Sequence, residues 1–193
     1  IWPSAPEKVL GMRPDWAESN ADTVMRLLVA LNAAAQWCDQ PENHDALAEA
    51  LADPRHVGAS VEIIRHVLSG EFSLDAQGTR RVIPNYFSFH AQHANYPRPS
   101  QALWIYSQMI RWGQATYSEK GMAAAVASYR PDIFRSALGD AAAPDEDDLR
   151  MEGDRPGDRF MDGYVFDPRR LHDYVRHFPI ARRELGGRDE HEM

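Results

Sequence analysis

From Asn20 onward the apolar positions recur at steps of three and four. Val24, Leu27, Leu28, Leu31, Ala35 and Cys38 form one stripe, the pattern of an amphipathic helix running to about residue 38. Asn20 is placed to accept a hydrogen bond from an early helical amide, and Asp22 suits the first turn. Upstream, residues 8–13 (KVLGMR) read as a short strand or buried extended segment, stopped by Pro14. Downstream, Pro41 fits a first helical position, and Leu47, Ala50 and Leu51 share a face until Asp53-Pro54. Ser60 opens another helix carrying Val61, Ile64, Val67 and Leu68, and Gly70 closes it.

Residues 71–99 have no clean period. Their aromatic and aliphatic side chains, broken by Pro84, Pro97 and Pro99, suggest a stretch that packs across other elements. Ser100 then caps a long helix to about Gln114 with Leu103, Tyr106, Met109 and Ile110 on one stripe. Two shorter helices follow over 118–128 and 131–138, and Asp167-Pro168 caps a last one with Leu171, Tyr174 and Val175. The expectation is a mainly helical chain with a few short strands. Its expected divisions are 1–139 as the helical portion, 140–163 as an acidic flexible loop, and 164–193 as a terminal helix and tail.

Composition narrows the chemistry. At 44% apolar and 26% charged, a chain of 193 residues can bury a core. The net charge of −8 argues against direct binding of nucleic acid or an anionic membrane surface. Between 140 and 163 nine acids face three arginines. That stretch lacks the alternating spacing and glycine of a calcium loop and reads as a solvated surface. No apolar run approaches the roughly 20 residues of a transmembrane helix. The single cysteine, Cys38, excludes an internal disulfide and sits on a helix stripe as a small hydrophobe.

The chemistry-bearing residues are few. His90 and His93 are three apart and could share a helical face toward a metal, but no carboxylate or further histidine stands at ligand spacing. No nucleophile elbow, phosphate loop or dinucleotide fingerprint is present. The chain therefore reads as neither an enzyme nor a cofactor binder. Lys8 is different. It is one of two lysines, with Lys120, and follows Pro6-Glu7 just inside the expected strand. There it could hold an anion as a point charge, or simply pair with Glu7 at the surface.

The order of segments resembles a known family. Ile1-Trp2-Pro3, Pro6-Glu7-Lys8-Val9-Leu10, Trp16, and the helix end Gln36-Trp37-Cys38-Asp39 are similar to the later part of nitrate/bicarbonate substrate-binding proteins of ABC transporters. Phe87-Ser88-Phe89-His90, Asn95-Tyr96-Pro97, the run from Ser100 to Gly113 with its Arg-Trp-Gly end, and Phe166-Asp167-Pro168 with Tyr174 extend the likeness. Arg98-Pro99 departs from it, standing where an aromatic and a basic residue are expected.

The resemblance implies the C-terminal part of a two-lobed α/β periplasmic-binding-protein (type II) fold, here as a C-terminal fragment. It implies a small oxyanion as ligand (nitrate, nitrite or bicarbonate), a membrane permease as partner, and a periplasmic or membrane-associated place. Lys8 is then the charged contact to the anion, with no metal and no cofactor. The same fold also implies an alternative, a cytoplasmic nitrate sensor that sequesters an RNA-binding antitermination regulator. Fold-sharing thiamin-pyrimidine biosynthesis enzymes find no support in these residues.

Overall fold

The computed structural model describes residues 2, 5–6, 8–83 and 86–177. Eight α-helices and two three-residue strands make up its regular structure, as the helical periods predict. The chain forms two compact units, one of residues 13–95 and the other of residues 1–12 with 96–193. The packing thus divides the chain elsewhere than at the compositional boundaries near 139 and 163.

In the first unit, α1 (Pro14–Ser19) was not foreseen. Pro14, expected only to stop a strand, is the first residue of this helix, and extended Arg13 precedes it at φ −70°, ψ 136°. Helix α2 (Ala21–Cys38) follows the predicted stripe. Its Asn20 does not cap it: the Asn20 amide turns back and donates to the Trp16 carbonyl at 2.8 Å, serving the end of α1 instead. After a short 3₁₀ turn at Pro41–Asn43 comes α3 (His44–Ala52), then α4 (Val61–Ser69). Leu47 and Ala48 of α3 and Ile64 of α4 are buried in this unit.

Ser60 caps α4 as expected, accepting from the Ile63 amide at 3.3 Å. Gly70 ends it in the left-handed region at φ 67°. A side chain there would also collide with the Ile83 carbonyl, so only glycine fits. Strands β1 (Glu71–Ser73) and β2 (Arg80–Val82) pair antiparallel with Phe72 opposite Arg81. The aromatic stretch that follows is less covered than expected, with Tyr86 and Phe87 about half exposed.

The other unit is built on α5 (Pro99–Arg111), α6 (Glu119–Ser128), α7 (Pro131–Leu138) and α8 (Leu171–Arg176). Leu103, Tyr106 and Ile110 of α5 meet Leu171, Tyr174 and Val175 of α8 together with Phe160, Phe166 and Trp2. Burial of each large side chain in this cluster stabilises the fold by roughly 1.5–3 kcal/mol. Ser118 caps α6, accepting from the Gly121 amide at 3.0 Å. Ser100 does not cap α5. Pro99 already occupies the first helical position, and Ser100 lies inside the helix, fully buried.

Candidate functional site

Lys8 follows a firmly held anchor. Trp2 is 2% exposed, stacks edge-on against Trp104 and Phe160 at 5.0 and 5.3 Å, and donates its indole N–H to Asp158 at 2.7 Å. Six residues later the chain emerges. Residues 8–13 form no strand, and Lys8, Val9 and Leu10 are all exposed. The expected strand is missing because a strand needs a hydrogen-bonded neighbour, and no backbone partner for residues 8–12 stands among the described residues. Among those residues Lys8 itself has neither hydrogen bond nor ion pair. The residue is exposed, and none of the described residues pairs with it.

The histidines do not form a metal face. Ala91–His93 is a 3₁₀ turn with Gln92 and His93 at φ 57° and 58°, so His90 and His93 do not project from one helix. His90 Nε2 lies 3.3 Å from the Gln36 side-chain amide. Cys38 is half-buried, and burial, helped by the Asp39 carboxylate, pushes its thiol up.

Two polar clusters escaped the sequence reading. Asp39, at the C-terminus of α2, accepts hydrogen bonds from three consecutive amides, Phe89, His90 and Ala91, at 2.7, 2.8 and 2.6 Å. A carboxylate at a helix C-terminus is disfavoured by the helix dipole. That misplaced charge was the available signal that donors come from elsewhere.

The second cluster lies in the acidic stretch, which is irregular but not simply solvated. Glu152 is 1% exposed. It accepts from Ser100 Oγ at 2.5 Å, faces Arg150 at 3.3 Å and Arg98 at 3.9 Å, and bridges Phe166 through both backbone groups at 2.9 Å. Burial pushes its carboxyl up, opposed by Ser100 and Arg150. Glu146, bound by Arg155 and Arg150, is held at about 2 despite some desolvation. Asp148 accepts from Tyr96 Oη at 2.6 Å and from Arg135 at 3.2 Å. Burial first, then Asp148, push the Tyr96 phenol up to about 12.

Each carboxylate of this cluster faces at least one arginine, while the buried Arg98 Nε makes no hydrogen bond among the described residues. A groove of about 400 Å³ between α5 and α6 is lined by Ala102, Tyr106, Met109, Gly121, Ala125 and Tyr129, among others. No charged side chain lines it, so it does not suit an oxyanion.

The comparisons bear on this arrangement. A family model described as the NMT1-like family matches residues 1–52, the segment that carries Lys8. The nitrate/nitrite binding protein NrtA of Synechococcus elongatus is 33% identical over 178 residues, covering 91% of this chain and 39% of that protein. The nitrate import ATP-binding protein NrtC of Synechocystis is 32% identical over 182 residues, 94% of this chain and 26% of that one. The bicarbonate-binding protein CmpA of Synechococcus elongatus is 27% identical over 190 residues, 94% of this chain and 42% of that one. The crystal structure of the periplasmic nitrate-binding protein NrtA from Synechocystis superposes with a TM-score of 0.76 at 25% identity, over 86% of this chain and 43% of that one.

The chain matches the C-terminal part of the nitrate/bicarbonate-binding-protein family. It spans between 26% and 42% of the length of these curated relatives. Its mostly helical structure is that part of the periplasmic-binding-protein fold. Among the described residues no helix is long and apolar enough to cross a membrane.

Proposed function

We propose that this chain is the C-terminal portion of the solute-binding component of an ABC importer for a small planar oxyanion, nitrate, nitrite or bicarbonate. The observation behind this is the likeness to nitrate- and bicarbonate-binding proteins along more than nine-tenths of the chain, with the same fold. In this reading Lys8 supplies positive charge to the anion, and further donors come from polypeptide outside these 193 residues. A buried anion needs a cation and several donors to offset its desolvation, and the exposed Lys8 alone provides the first. The partner is the importer's membrane permease, and the setting is the periplasm.

The NrtC match favours a second reading, in which the chain is a segment of an ATP-binding import protein. It covers a smaller share of NrtC than of NrtA at nearly equal aligned length. None of the relatives reported above is named a sensor, and nothing on the structure favours the antitermination alternative.

Lys8→Ala in the longer polypeptide that carries this chain tests the reading. Removing one partner of a buried charged pair costs about 2–5 kcal/mol, so nitrate or bicarbonate affinity should fall by roughly 30-fold to several thousand-fold by calorimetry. Lys120→Ala, an exposed position on α6, should change affinity by less than about twofold. The 193 residues alone should bind either anion weakly or not at all. Wild-type affinity in Lys8→Ala, or micromolar binding by the isolated chain, contradicts the assignment.

A further inference from the structure

Residues 152–166 form a loop that is closed at its base. Glu152 and Phe166 exchange both backbone hydrogen bonds at 2.9 Å, and both residues are buried. Compact loops whose ends meet in this way are frequently functional. The tip folds back inward. Phe160 is buried, and at Gly153, with φ 79°, any Cβ would meet the Phe160 ring at 2.9 Å. What the tip grips is the segment that leads to Lys8. Phe160 lies edge-on to Trp2 at 5.3 Å, and half-buried Asp158 accepts the Trp2 indole N–H at 2.7 Å. The Ala5 amide turns back to the Trp2 carbonyl at 3.3 Å, and Ala5 packs on the same core. Lys8 follows shortly after, so its Cα lies within about 11 Å of that of Ala5.

We propose that this loop is a clasp and that Asp158, acting through Trp2, is a positioning residue for anion binding by Lys8. The inference rests on the reading of Lys8 as the charged contact to the anion. Lys8 has no partner of its own among the described residues, so its place is set by where the chain leaves the core. A binding group has to be held within about 0.5 Å of its productive position, and ordering a loose segment on binding weakens affinity. Trp2 and Ala5 hold the chain to the core just before Lys8. Packing against Trp104 and Phe160 buries the Trp2 ring, whereas the hydrogen bond to Asp158 is directional and fixes how that ring is turned. Loss of that bond loosens the segment at its root, and the effect is felt at Lys8.

The test uses the longer polypeptide that carries this chain, titrated with nitrate and with bicarbonate by calorimetry. Asp158→Ala removes the acceptor, Trp2→Phe removes the donor but keeps a ring, and Asp158→Asn keeps an acceptor oxygen. The first two should each weaken binding by about three- to thirtyfold, and Asp158→Asn should recover most of that loss. Asp154→Ala, at an exposed position of the same loop, should change affinity by less than about twofold. Segment mobility is read separately, from a nitroxide on Val9→Cys in the Cys38→Ser background without anion. Its spectrum should narrow in Asp158→Ala and not in Asp154→Ala. Affinity kept within threefold in both Asp158→Ala and Trp2→Phe overturns the proposal. So does an unchanged nitroxide spectrum in Asp158→Ala, or a loss that Asp158→Asn fails to recover. Wild-type affinity in Lys8→Ala removes the reading on which the proposal stands, whereas a loss there without one in the two clasp variants removes the proposal alone.

Discussion

Glu152 shows what a single residue contributes to this fold. Its carboxylate sits among Ser100, Arg150 and Arg98, and Arg98 is itself only 4% exposed. Taking these charges out of water is costly, and the pairing offsets that cost only while every partner is present. Glu152→Ala would remove one of the two carboxylates that face Arg98 and Arg150, leaving them only Glu146, and would strip Ser100 Oγ of its acceptor. The expected loss is about 3–5 kcal/mol, read as a lower urea midpoint for the 193-residue chain. Glu152→Gln separates charge from shape. Because burial favours the neutral form of this carboxyl, Gln should lose much less than Ala; a loss as large as that of Ala would show that the negative charge itself is required. Nothing in one sequence marks Glu152 among nine neighbouring acids, because burial is decided by the pairing with Phe166 and Ser100, both distant along the chain. Lys8 stood out by contrast through its local Pro-Glu-Lys context, and the structure leaves it exposed. In the proposed reading other polypeptide completes the site, which its own segment then does not enclose.

At the scale of elements, periodicity carried most of the fold. The stripes of α4, α5 and α8 and the serine caps of α4 and α6 are local features, and each forms as its residues dictate. The misreadings share a cause. The strand over residues 8–13 needed a neighbour, Pro14 turned out to begin a helix, and Ser100 was drawn inward by Glu152. Helix α6 offers a test in which local and tertiary effects oppose each other. Gly121 lies in its first turn, where alanine would normally stabilise by about 1 kcal/mol. A methyl group there, however, would run into the Tyr106 hydroxyl and ring, and Tyr106 Oη is held by the Thr116 carbonyl at 2.8 Å. Overpacking of this kind costs about 1–3 kcal/mol. Gly121→Ala should therefore lower the melting temperature, whereas Ser118→Ala should lower it only by the loss of a cap, about 1 kcal/mol. A Gly121→Ala variant that melts above wild type would mean that Tyr106 swings away freely and is no fixed wall of the α5–α6 groove.

Over the whole molecule, the two carboxylates Glu146 and Glu152 make opposite contributions to acid stability. Glu146 is held at about 2 by Arg155 and Arg150, below its unfolded value of about 4.3. Its stabilisation is complete above the unfolded value and is lost as pH falls through that value toward 2. Asp53, bound by Arg55 and likewise held at about 2, acts in the same direction, though as an exposed pair it adds little. Burial raises the Glu152 carboxyl, so the folded state takes up its proton before the unfolded state does. That group favours folding progressively as pH falls through its raised value, down to the unfolded one. The melting temperature of wild type relative to Glu152→Gln should therefore rise as pH falls from neutrality toward the unfolded value of about 4.3. Relative to Glu146→Gln, it should fall between pH 4.5 and 3. Near-ultraviolet circular dichroism can follow both, because Trp2 and Trp104 pack into the same unit as the cluster. Moderate salt leaves the buried pair largely intact, whereas it screens the exposed ones. If the two difference curves have the same sign across both windows, the charge assignments within the 146–155 stretch are wrong and the acidic segment is a solvated surface after all.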